Sequence, residues 1–152
     1  MRNRVRNEKG MTLVEVMISM VILLLVFVGL IQASLLSIDY NTRNELRDEA
    51  VRVAAESMAG VRATPFGNAV LVDTGGNWVT FPSLGTSGAV LPGGPVRRNI
   101  RLFQQQYDRQ IMITDLDPGP TPSLKRVDVR VVWTDPKGET HTQAISANVR
   151  NK

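Results

Sequence analysis

The 152-residue chain has no cysteine and a single histidine, His141. Without cysteine there can be no disulfide, so a head outside the membrane must hold together by packing, by its neighbours or by a bound ion. The thiol nucleophile is missing as well, and no Gly-x-Ser-x-Gly stretch offers a serine instead. His141 stands between two threonines in an expected strand, where an exposed position is the default, and one histidine alone does not make a metal or catalytic centre. Thr74-Gly75-Gly76 lacks the lysine and the following helix of a phosphate-binding loop. The chain therefore reads as no enzyme, with no cofactor.

Two further absences define the N-terminal third. Residues 16–31 contain no charge, and there is no proline between Met11 and Thr64. The apolar run continues to Ile38, diluted by Gln32, Ser34 and Ser37. As a helix, residues 16–38 cover roughly 34 Å, enough to cross a bilayer core of about 30 Å. A buried core helix of that length should show a polar face, and none appears before Asp39. The segment is expected to lie in a membrane.

Charge gives its direction. Arg2, Arg4, Arg6 and Lys9 precede the apolar run, opposed only by Glu8. Positive flanks stay in the cytoplasm, so the remainder should emerge on the far side of the membrane. Four of the 18 Lys and Arg and one of the 14 acids lie in residues 1–10, which leaves the rest of the chain at a net +1. The high isoelectric point thus owes much to the leader, and no direct nucleic-acid binding is indicated.

A cleaved secretory signal would end at small residues, and the best such junction follows Ala33, where Ile31 is too large. Helical periodicity moreover continues beyond it. Leu46, Ala50, Val53, Ala54, Ser57, Met58 and Val61 recur on one face, with Asp39–Arg43 and Asp48–Arg52 spaced as ion pairs. Pro65 disfavours helix at Thr64, so one helix is expected over about residues 12–63.

Lys9-Gly10-Met11-Thr12-Leu13-Val14-Glu15 followed by a long apolar helix resembles the class III signal of type IV prepilins and pseudopilins. The resemblance implies that a membrane prepilin peptidase and N-methyltransferase cuts after Gly10 and methylates the new amine of Met11. It makes Glu15, five residues into the mature chain, the assembly residue. A carboxylate near the membrane costs a few kcal/mol unless it finds a partner or a proton. In a filament the Met11 amine of a neighbouring subunit would be that partner, and such a pair sets register more than stability. The commonest first mature residue in the family is phenylalanine, and Met11 here points to a minor subunit. Gly29, Ser19, Ser34 and Ser37 would allow close helix approach, or are ordinary membrane-helix composition.

Residues 65–95 are rich in Gly, Pro, Ser and Asn and read as an irregular connection, with short runs at 69–72 and 78–81 as possible strands. In pilins this is the variable loop region. Trp78 and Phe81 are expected to pack onto the helix. Strand signals follow at 98–103, 109–115, 124–134 and 139–149, with Val127, Val129, Val131 and Trp133 alternating and a turn at Asp135-Pro136-Lys137-Gly138. Asp115 and Asp117 are weak calcium candidates, too few for the six to eight oxygens that calcium takes.

The expected fold is α+β and pilin-like: a long N-terminal helix on a small antiparallel sheet. The parts are a cleaved leader (1–10), a transmembrane assembly half-helix (11–38), an amphipathic half-helix (39–64), the variable loop region (65–95) and a β-meander (96–152). Residues 125–149 also resemble the end of PilV-like minor pilins. The function implied is a minor pilin of a type IV pilus, assembled into or priming the filament. The alternative is a pseudopilin of a type II secretion system, and a membrane-anchored binding module is a third reading. The implied partners are the peptidase, other major and minor pilins, the inner-membrane assembly platform and membrane lipid.

Overall fold

The structure is a computed structural model that describes residues 11–86, 89–101, 103–117, 119 and 123–151. The leader, with Gly10, lies outside the described residues. The chain forms two compact units, Met1–Asn41 and Thr42–Lys152.

Helix α1 is Leu13–Ala63. It is followed by strands β1 (Val79–Thr80), β2 (Leu84–Thr86), β3 (Ala89–Leu91), β4 (Val96–Ile100), β5 (Phe103–Asp115), β6 (Leu124–Thr134) and β7 (Thr140–Arg150). The main sheet has five strands ordered β1-β5-β6-β7, with β4 also pairing β5, and β2 and β3 form a separate hairpin. All the pairings are antiparallel, with register set by Ile111↔Val129 between β5 and β6 and by Val129↔Ile145 between β6 and β7. This is the expected α+β architecture: one long N-terminal helix, packed through its C-terminal part on a small antiparallel sheet.

In the first unit every residue from 11 to 38 is exposed. No polar face divides the run, and α1 is the one helix among the described residues long and apolar enough to cross a membrane.

In the second unit the amphipathic pattern of the helix decides the packing. The buried helical residues are Leu46, Ala50, Val53, Ala54, Ser57, Met58 and Val61, the face that periodicity indicates. Two clusters form on it. Met58 and Val61 meet Ile111, Ile113, Val127 and Val129 together with Leu71, Phe81 and Leu84. Leu46, Ala50, Val53 and Ala54 meet Ile100, Tyr107, Val131 and Trp133. Period-two alternation turns the odd-numbered residues of β5 and β6 toward this core. The helix ends where Thr64 Oγ1 donates to the Gly60 carbonyl at 2.9 Å, just before Pro65.

Residues 65–95 carry more order than their composition suggests. Residues 69–72 are a turn and not a strand, because Asn68 Oδ1 accepts from the Val70 amide at 3.0 Å and the Asn68 carbonyl from the Leu71 amide at 2.9 Å. That turn still buries Leu71. Of the two aromatic residues expected on the helix, only Phe81 enters the core. Trp78 lies on the opposite face of the sheet, where the Arg130 guanidinium sits 4.2 Å from its ring centre. Arg52 pairs with Glu49 and Glu56, at 3.9 and 3.4 Å, in place of Asp48.

Arg109 explains the order of the loop. It points from β5 into the core with 3% of its surface exposed. Its guanidinium donates to the carbonyls of Pro92 and Gly94 and to Ser57 Oγ, and it lies 4.8 Å from the Phe81 ring centre. Burial, and then the nearby Arg98 charge, lower its pKa, with Glu56 opposing them. The Gly-rich loop is thereby fastened to both sheet and helix. Gly93 is required there, since a Cβ would fall 2.7 Å from the Ser83 nitrogen and 2.9 Å from the Phe81 oxygen.

Candidate functional site

The motif residues sit at the start of α1. Thr12 caps the helix: its Oγ1 accepts from the Glu15 amide at 3.3 Å, and its carbonyl accepts from the amides of Glu15 and Val16 at 3.1 and 3.2 Å. Thr-x-x-Glu is the spacing of a capping box, so Glu15 occupies the third helical position, where the helix dipole favours negative charge. The Thr-x-x-Glu spacing is the sequence signal of this cap. Met11 precedes the cap and is 71% exposed. Glu15 is exposed too, in the first turn of a helix otherwise uncharged to Ile38.

The serines that could have served close helix approach are partly engaged within their own helix. Ser19 Oγ donates to the Glu15 carbonyl at 2.8 Å and Ser34 Oγ to the Leu30 carbonyl at 2.9 Å. Gly29 has no atom near the position a Cβ would take, so its surface is open.

Residues 5–31 match the family model described as the prokaryotic N-terminal methylation motif. The match spans Gly10, Met11 and Glu15 and ends inside the apolar helix. No curated protein and no solved structure matches the chain. The motif supports a type IV pilin-like or pseudopilin protein, a class of structural subunits processed by prepilin peptidase and assembled with other pilins. The apolar helix and the motif together fit a membrane-anchored subunit.

The two calcium candidates have separate partners. Asp115 Oδ1 lies 3.8 Å from Lys125 Nζ, and Asp117 Oδ2 accepts from Ser123 Oγ at 2.9 Å. Lys125 is itself buried, donating to the Leu71 carbonyl and lying 5.0 Å from the Phe66 ring centre.

His141 is in more company than its sequence neighbours suggest. It is half-buried, with Nε2 3.3 Å from Asp135 Oδ2 and its ring stacked on Trp133 at 5.5 Å between centres. The other Asp135 oxygen, Oδ1, accepts from the Lys137 and Glu139 amides at 2.9 and 2.8 Å. Burial pushes the Asp135 carboxyl up. The two amides, His141 and the Arg43 guanidinium outweigh it and hold the pKa below the ordinary value. Asp135, Glu139 and His141 bring their ligand atoms within 4.8 Å of one another. The sequence signal was Asp-Pro-Lys-Gly-Glu-Thr-His: a tight turn folds positions 135, 139 and 141 together.

Proposed function

We propose that this chain is a minor pilin of a type IV pilus, cut after Gly10, methylated at Met11 and assembled into or priming the filament through its apolar half-helix. The observation that carries this reading is the methylation motif running directly into a helix whose residues 13–38 are exposed all round. Such a surface needs lipid before assembly and neighbouring helices after it. The topology that follows has a cytoplasmic leader, a single inner-membrane span and a periplasmic head, which becomes extracellular in the filament. Met11 in place of the usual phenylalanine, and the PilV-like β6–β7 region, favour a minor pilus subunit over the type II secretion pseudopilin built on the same plan.

The test has two parts. N-terminal sequencing and intact mass should find a mature chain beginning at methylated Met11, and Gly10→Val should leave full-length precursor in the membrane. Immunoblots of sheared filaments should then find the mature chain with the pilus. Cleavage after Ala33, with the apolar helix lost, would sink the pilin reading altogether. Correct processing with recovery only beside secretion-system subunits would assign the pseudopilin role instead.

A further inference from the structure

The turn between β6 and β7 gathers one imidazole and two carboxylates around a single point. Asp135 closes the turn: its amide donates to the Glu139 carbonyl at 2.8 Å, and its carbonyl accepts from the Gly138 amide at 2.9 Å. Gly138 makes this possible at φ +85°, a conformation that suits glycine. With Oδ1 held by two backbone amides, Asp135 Oδ2 is aimed outward at His141. The Trp133↔His141 register stacks the imidazole on a buried indole and fixes its plane.

A cation already answers this charge. Arg43, from α1, places its guanidinium 3.5 Å from Asp135 Oδ2 and 3.2 Å from Glu139 Oε2. Beside it opens a cleft of about 300 Å³ lined by Arg43, Arg47, Trp133, His141 and Gln143, with room for water to complete a coordination shell. We infer that Asp135, Glu139 and His141 form a binding site for a divalent transition cation of the zinc class, with Arg43 holding the same position when the metal is absent. One nitrogen and two carboxylate oxygens are a donor set that Zn²⁺ accepts, with water in the remaining position. The imidazole argues against calcium and magnesium, which take oxygen. The two carboxylates together carry two negative charges, which a dication balances once Arg43 has left them. Arg43 is about one-third exposed and can withdraw into the cleft as the metal enters. The site belongs to the head and stands whether the subunit serves a pilus or a secretion system.

The full chain, purified in detergent micelles and stripped with chelator, is titrated with Zn²⁺ by calorimetry. Wild type should bind one ion per chain. His141→Gln and Glu139→Gln should each weaken binding about tenfold or more, while Asp115→Asn should leave it unchanged. Arg43→Gln should bind more tightly, because the competing cation is gone. Co²⁺ added to wild type should give a visible absorption spectrum of mixed nitrogen and oxygen coordination, and His141→Gln should alter it. Equal zinc affinity in wild type and in both ligand variants would overturn the assignment, as would weaker binding by Arg43→Gln. If a ligand variant proves unfolded in metal-free melting, the wild-type Co²⁺ spectrum decides: one indistinguishable from the hexaaquo ion refutes the site.

Discussion

At Asp135 a carboxylate sits with 1% of its side chain exposed, yet its environment favours the ionised form. Burial alone would raise its pKa, and the two turn amides, His141 and Arg43 reverse the sign. The consequence is a pH dependence of stability. An unfolded aspartate titrates near about 3.9. Since the folded value lies lower, the stabilisation is present above about pH 4 and is lost as pH falls through the folded pKa. In chelator-containing buffer, urea unfolding of wild type and Asp135→Asn should differ most at neutral pH. The gap should close as the pH drops below about 4. A gap of the same size at neutral pH and at about pH 3 would show that the carboxylate charge is not what holds the turn.

Among the elements, the helix, β6 and β7 were legible, β5 only over residues 109–115, and the loop little beyond the strand at Val79–Thr80. The run expected at 98–103 is divided between the end of β4 and the start of β5. Periodicity reports which face is buried, and it does so wherever a long element packs one side on a core. All seven residues expected to line the amphipathic half of α1 are buried, and β6 is Leu124–Thr134, the span that alternation marked. Residues 65–95 have no period. Their order comes from partners distant in sequence: Arg109 on β5 and Ile111 opposite Val79. Gln104, Gln105, Gln106 and Tyr107 side by side in β5 look like a polar surface, but alternation turns Gln105 and Tyr107 inward, with Arg109 beside them. Tyr107 there donates to the Leu46 carbonyl at 3.0 Å, with its pKa raised by burial. The methylation motif at the start of α1 was legible from its residues, while the His141 cluster was hidden because a turn, not a spacing rule, assembles it. Arg109 makes the dependence of the loop testable. Arg109→Met fills similar space but removes the donors from the Pro92 and Gly94 carbonyls, and should cost about 1–3 kcal/mol in urea unfolding. The Gly94 amide, which donates to the Phe81 carbonyl at 2.8 Å, should lose hydrogen-exchange protection before the amides of β6 do. Unchanged stability together with unchanged Gly94 protection would mean that the loop is held by its own turns.

For the whole molecule, the two units have opposite needs. The head, Thr42–Lys152, buries its own apolar face, whereas residues 11–38 bury nothing and leave Glu15 near one end of an exposed apolar surface. If Glu15 pairs with the methylated Met11 amine of a neighbour, its loss should separate steps that ordinary destabilisation would disturb together. Glu15→Ala makes the segment more apolar, so membrane insertion should be at least as good as wild type. Cleavage after Gly10 should persist, because the substitution lies beyond the junction and leaves the Thr12 cap side chain in place. The head should melt as before, since Glu15 lies outside the head unit. Assembly alone should fail: the processed subunit should accumulate in the membrane and disappear from sheared filament fractions, as followed by immunoblot against wild type. Glu15→Gln distinguishes charge from shape, because it keeps size and hydrogen bonding but cannot form an ion pair. It should fail with Glu15→Ala if the amine is the partner. Normal incorporation of both variants would remove the pairing role, and would point to a subunit at the filament tip, where no neighbour ahead supplies an amine.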